Sequence, residues 1–151
     1  MAAILFVCHG NICRSPMAEF VMKDLLIKRG LSAQFVVASA ATSTEALGCD
    51  IHRGTQATLR NAGIPFARRA AVQLTREDYA RYDFLIGMDS QNIRNMLRIL
   101  ESDHAHKVHR LLDFAACPRD IADPWYTGDF ALTFADITEG CNALLAHILQ
   151  A

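Results

Sequence analysis

No stretch of the 151-residue sequence approaches the roughly 18 consecutive apolar residues that a membrane-spanning helix needs. Neither sign of charge is in excess: 15 Lys and Arg stand against 16 Asp and Glu, a formal net charge of −1. That balance speaks against nucleic acid or an anionic membrane as the main partner. The four prolines and eight glycines are not gathered into a linker, repeat or low-complexity tract, so one domain spanning residues 1–151 is expected. No G-x-x-x-x-G-K-[ST] or G-x-G-x-x-G run is present, which leaves nucleotide binding without support. The start, MAAILFVCHG, lacks a basic n-region, and its apolar run is too short for a signal core, so a cytoplasmic location is expected. Five cysteines cannot all pair, and without an export signal they read as reduced thiols. With 52% hydrophobic and 21% charged residues, the chain has the composition of a soluble globular protein.

Hydrophobic patterning implies alternating strands and helices. AILFVC (Ala3 to Cys8) is a continuous apolar run, as in a strand buried on both faces of a parallel sheet. HGNICRS follows as a loop, after which Ser15 as N-cap and Pro16 at the first helical position start a helix that stops at Gly30. QFVVASA (Gln34 to Ala40) reads as a second strand, and a helix is expected from about Ile51 to Ala62, ended by Gly63. YDFLIGMD (Tyr82 to Asp89) reads as a strand running into a helix over Ser90 to Leu100 capped by Asp89, and KVHRLL (Lys107 to Leu112) as a fourth strand. Asp129 is placed to cap the last helix, which runs to about Leu149. This order predicts an α/β fold: a central parallel four-stranded sheet with helices on both faces. Ligands of such sheets bind at the carboxyl ends of the strands, where the HGNICRS loop lies.

Metal-free cleavage of a phosphate monoester needs a strong nucleophile, donors for the equatorial oxygens and a proton for the departing oxygen. A strand-to-helix loop supplies converging backbone N–H groups and the positive end of a helix dipole, a setting that favours a thiolate at Cys8. Six residues on, Arg14 can grip two phosphate oxygens with its planar guanidinium. Gly10 and Asn11 tolerate the positive φ of an inward-curling loop, and the Ser15 hydroxyl can donate to the thiolate. By itself C-x5-R is a common chance pattern, and a buried strand cysteine is the competing reading of Cys8; the flanking strand and helix start favour the reactive one. In IADPWYTGD, Asp123 precedes a proline that holds it extended, beside aromatics that would dry a cleft. On this ground alone an ordinary turn start is the favoured reading of Asp-Pro.

VCHGNICRSPMAE resembles, nearly residue for residue, the signature of the low-molecular-weight protein tyrosine phosphatases. The similarity continues through SAATSTEALG, VQLTREDYARYDFLIGMDSQNI and ADPWY, in the right order over almost the whole chain. The resemblance implies a flavodoxin-like or Rossmann-like fold and a two-step hydrolysis of phosphotyrosine through a phosphocysteine. Cys8 would be the nucleophile, Arg14 the phosphate clamp and Asp123 the general acid. His9, Gly10, Asn11, Ile12, Cys13 and Ser15 would form the phosphate-binding loop. It further implies that Asn11 and Ser39 brace this loop, that Trp125 and Tyr126 line the cleft mouth, and that Cys13 can form a reversible disulfide with Cys8. Asp89 and Asn92 match family residues read as caps near the site.

Two positions depart from the family pattern. Glu45 stands in a segment where many members carry an aromatic, which bears on substrate preference. Arg69 and Val72 replace a common His-x-x-Arg, which bears on loop bracing. A thiol-coupled arsenate reductase would need a further cysteine pair, and Cys49, Cys117 and Cys141 are scattered singly. A catalytically silent phosphotyrosine-binding module sits poorly with intact Cys8, Arg14 and Asp123. Cys8 and Cys13 lack a second pair at zinc spacing, and HAHKVH reads as a solvated loop and strand edge, so no metal is expected. The expected partner is a tyrosine-phosphorylated protein or peptide, with no cofactor, no nucleic acid, no membrane and a monomeric state.

Overall fold

The computed structural model describes residues 1–150. Four parallel strands, β1 (Ala2–Cys8), β2 (Phe35–Ala41), β3 (Phe84–Gly87) and β4 (Val108–Arg110), form one sheet in the order β2-β1-β3-β4. Six helices surround it: α1 (Arg14–Lys28), α2 (Arg53–Asn61), α3 (Asp78–Arg81), α4 (Ser90–Leu100), α5 (Pro124–Thr127) and α6 (Phe130–Gln150). None of them is long and apolar enough to cross a membrane.

The unbroken apolar run of β1 follows from its central place in the sheet. Successive side chains point to opposite faces, and each face meets its own helix layer. Ile4, Phe6 and Cys8 pack with Met17 and Met22 of α1 and with Ile137 and Leu144 of α6. Leu5 and Val7 pack on the other face with Leu74, Tyr79, Met96 and Leu100. Gly140 lets α6 close on the 3-10 turn Leu111–Phe114, since a Cβ there would lie 2.4 Å from Leu111 Cγ. Strand β1 has β2 on one side and β3 on the other, which makes the carboxyl ends of β1 and β3 the switch point of the sheet.

Gly30 (φ 69°) and Gly63 (φ 71°) follow the ends of α1 and α2 as expected, and Asp129 accepts from the Leu132 N–H at the start of α6. Several local expectations need correcting. Cys13 occupies the N-cap position of α1, so Ser15 and Pro16 lie inside its first turn. Proline is tolerated there because first-turn N–H groups have no intrahelical acceptor. The third strand is confined to Phe84–Gly87, and the fourth ends at Arg110, where adjacent buried leucines Leu111 and Leu112 break the alternation. α2 begins at Arg53, with His52 as its cap, and the one-turn helix α3 has no expected counterpart.

Candidate active site

The loop between β1 and α1 is built by tying its carbonyls outward. Thr42 N–H donates to Cys8 O (2.9 Å), Ser43 N–H to His9 O (3.0 Å) and His52 N–H to Ile12 O (2.8 Å). Thr55 Oγ1 donates to Cys13 O at 3.1 Å, and the Arg69 guanidinium to Asn11 O. No peptide among the described residues is cis, so each outward carbonyl turns the next residue's N–H the opposite way, into the loop. The left-handed turn falls on Asn11 alone (φ 57°). Of the two residues that tolerate positive φ, only Asn11 uses it; Gly10 does not.

Behind the loop a relay reaches the sulfur. Val72 N–H donates to Asn11 Oδ1 at 3.2 Å, which fixes the orientation of the amide. Asn11 Nδ2 then donates to Ser15 Oγ at 2.7 Å, and Ser15 Oγ lies 3.1 Å from Cys8 Sγ. With Oγ accepting from Asn11, the hydroxyl proton can turn toward sulfur or toward the Ala40 carbonyl at 3.4 Å. The Ser15 N–H adds a longer contact to Sγ at 3.4 Å. The departure at Val72 therefore leaves the bracing intact, because a backbone group supplies it. Arg69 braces Asn11 from the other side; burial pulls its guanidinium down from its ordinary value, against the pull of Glu19, Cys8 and Asp50. The Ser39 hydroxyl donates to the buried Glu19 Oε1 of α1 at 2.6 Å rather than to the loop.

Arg14 is the buried cation of the site, its side chain 3% exposed. Nη1 donates to Asp89 Oδ2 (2.6 Å) and to Ile121 O (2.8 Å), and Nη2 lies 3.4 Å from Asp123 Oδ2. Burial opposes its charge, but Cys8, Asp89 and Asp123 outweigh that and raise its affinity for the proton. Among the described residues, its Nε is buried without a partner. Asp89 has two tasks, since its Oδ1 also accepts from the Asn92 N–H in the capping box of α4. Cys13 is held as a thiol, pushed up to about 12 by burial, then by Cys8 and Asp123, with Arg14 opposing.

Asp123 caps α5, its Oδ1 accepting from the Trp125 N–H at 3.0 Å. It shares a cleft of about 180 Å³ with Cys8, His9, Gly10, Ile12, Cys13 and Arg14; Glu45, Ala46, Trp125 and Tyr126 form the mouth. Asn11 and Ser15 are not part of the lining and act from behind the loop. His9 Nε2 lies 2.9 Å from Glu45 Oε2, joining the loop to the mouth. Sequence reasoning missed His52, whose N–H holds the loop, and the Arg14–Asp89 pair across 75 positions. The cap signal at Asp89 was legible; its second oxygen was not.

A family model for the low molecular weight phosphotyrosine protein phosphatases matches residues 3–151. The chain belongs to that family. It is 39% identical over 150 residues to the low molecular weight protein-tyrosine-phosphatase YfkJ of Bacillus subtilis, covering 98% of this chain and 96% of the relative. The crystal structure of YfkJ superposes with a TM-score of 0.94 at 38% identity, covering 99% of this chain and 96% of that one. The low molecular weight protein tyrosine phosphatase SP-PTP of Streptococcus pyogenes superposes at 0.88 with 36% identity, covering 97% and 93%. Within this phosphatase family, the match supports neither an arsenate reductase nor a silent binding module as the primary reading.

Proposed function

We propose that residues 1–151 form one phosphatase domain that hydrolyses phosphotyrosine in proteins or peptides, with Cys8, Arg14 and Asp123 as its catalytic residues. The observation that carries this reading is the convergence of the three on one cleft, with Arg14 contacting Asp123 and the loop carbonyls tied outward around Cys8. The Cys8 thiolate attacks phosphorus as the ester P–O bond breaks, and the Asp123 carboxyl gives its proton to the leaving oxygen. Water then attacks the phosphocysteine and passes a proton to the Asp123 carboxylate, and the S–P bond breaks to restore the thiolate. Inward loop N–H groups and the guanidinium receive the equatorial oxygens; a phosphate oxygen is a fitting acceptor for the buried Arg14 Nε. Hydrolysis of a phosphotyrosine peptide in chelator, beside arsenate reduction coupled to thioredoxin, tests the reading. Phosphate release without arsenate turnover is expected, and the reverse pattern would overturn it.

Trp125 and Tyr126, 60% and 80% exposed, offer aromatic surface to a substrate ring. Glu45 places a carboxylate at the same mouth and makes basic residues beside the phosphotyrosine favourable. Glu45→Lys should shift the kcat/KM ratio between lysine-flanked and glutamate-flanked phosphopeptides by up to about fivefold toward the acidic one, the size of an exposed ion pair. An unchanged ratio removes Glu45 from specificity.

Cys13 serves as the redox partner of Cys8 in this reading. Peroxide converts the Cys8 thiolate to a sulfenic acid, and the Cys13 thiol displaces water to form a disulfide. Wild type should then regain activity with dithiothreitol after peroxide, whereas Cys13→Ser should lose it irreversibly. Equal recovery of the two proteins rules the partnership out.

A further inference from the structure

His52 contacts three of the elements that surround the cleft. Its N–H donates to the Ile12 carbonyl of the phosphate loop at 2.8 Å. Its Nδ1 accepts from the Gly54 N–H at 3.0 Å, so capping α2 sets the angle of the ring. That ring stacks on Phe130, the first residue of α6, with centroids 5.4 Å apart and planes at 14°. It meets Trp125 edge-to-face at 5.6 Å and 76°. Gly54 permits the arrangement, since a Cβ there would fall 2.4 Å from the Phe130 ring.

These contacts converge on the segment that carries Asp123. The Ala122 carbonyl accepts from Thr133 Oγ1 of α6 at 3.1 Å, fixing the segment just before the acid. Just after it, Asp123 Oδ1 holds the Trp125 N–H, so the placement of Trp125 and that of the carboxyl are linked. Trp125 is 60% exposed, and the His52 ring is an aromatic partner on its covered part.

We propose that His52 is a positioning residue: it couples the phosphate loop to the acid-bearing segment and holds Asp123, through Trp125, at the distance protonation of the leaving group requires. This rests on the reading of Asp123 as the general acid. His52 touches no reacting atom, so its effect should scale with how much the reaction depends on the acid.

Two variants separate its two tasks. His52→Asn keeps a side-chain acceptor for the helix cap and removes the ring, whereas His52→Phe keeps the ring and removes the acceptor. His52→Asn should lose about tenfold in kcat/KM on phenyl phosphate, a poor leaving group, and less than about twofold on p-nitrophenyl phosphate. His52→Phe should recover most of the phenyl phosphate loss. Trp125 is the only tryptophan of the chain, so its fluorescence reports on the contact directly. Acrylamide quenching should rise in His52→Asn and return toward wild type in His52→Phe. Equal losses on both substrates, no rescue by phenylalanine, or unaltered quenching would each overturn the proposal. If His52→Asn does not fold, His52→Ser, which also keeps a cap acceptor, carries the same comparison. Failure of the acid assignment is distinguishable, because Asp123→Ala would then show no leaving-group dependence while the quenching still reports on the His52–Trp125 contact.

Discussion

Cys8→Ser is expected to abolish phosphate release from every substrate, lowering kcat by at least about four orders of magnitude while the fold persists. The change exchanges one atom at a site 3% exposed, so the packing of Phe6 and Met17 around it is barely disturbed. It removes the sulfur around which the loop is built. The relay from Val72 N–H through Asn11 ends at Ser15, whose Oγ lies 3.1 Å and whose N–H lies 3.4 Å from the sulfur. A serine hydroxyl does not ionise under the same influence and forms no phosphoryl adduct. Phosphate affinity should survive, because Arg14 and the loop backbone are untouched. Steady-state assay with a circular dichroism spectrum checks both halves, and retained turnover would assign the nucleophile elsewhere.

Asp123→Ala is expected to divide substrates by leaving group. On phenyl phosphate kcat/KM should fall by about 10²–10³, the range of general acid catalysis, and on p-nitrophenyl phosphate by about tenfold or less. Part of any effect comes from lost structure, since the carboxylate also caps α5, worth about 1 kcal/mol. Asp123→Asn keeps a cap acceptor and carries no acid proton, so it separates the roles. Its leaving-group dependence should match that of the alanine variant while thermal stability stays closer to wild type. Equal losses on both substrates would remove Asp123 from the acid role.

The sheet was legible because β1 is buried on both faces and shows it as an unbroken apolar run. The cap at Asp89 and the stops at Gly30 and Gly63 were legible because such signals act within a few residues. Ser15 shows where local reasoning fails. Ser-Pro fits a helix start, yet tertiary contacts claim its hydroxyl for Asn11 and Cys8, and α1 begins two residues earlier, with Cys13 rather than Ser15 at the N-cap. The same holds for Arg69 on Asn11, 58 positions apart, and for the His52 ring against Trp125. Periodicity carries no information on which loops meet; sheet order does, by bringing the ends of β1 and β3 together.

Nucleophilic catalysis by Cys8 requires a covalent phosphocysteine at residue 8. Rapid acid quench of Asp123→Ala turning over p-nitrophenyl phosphate, followed by peptide mass spectrometry, tests it most directly. The predicted result is a phosphoryl group on the peptide containing Cys8, absent from Cys8→Ser. Turnover with no adduct, or an adduct on any other residue, would contradict it.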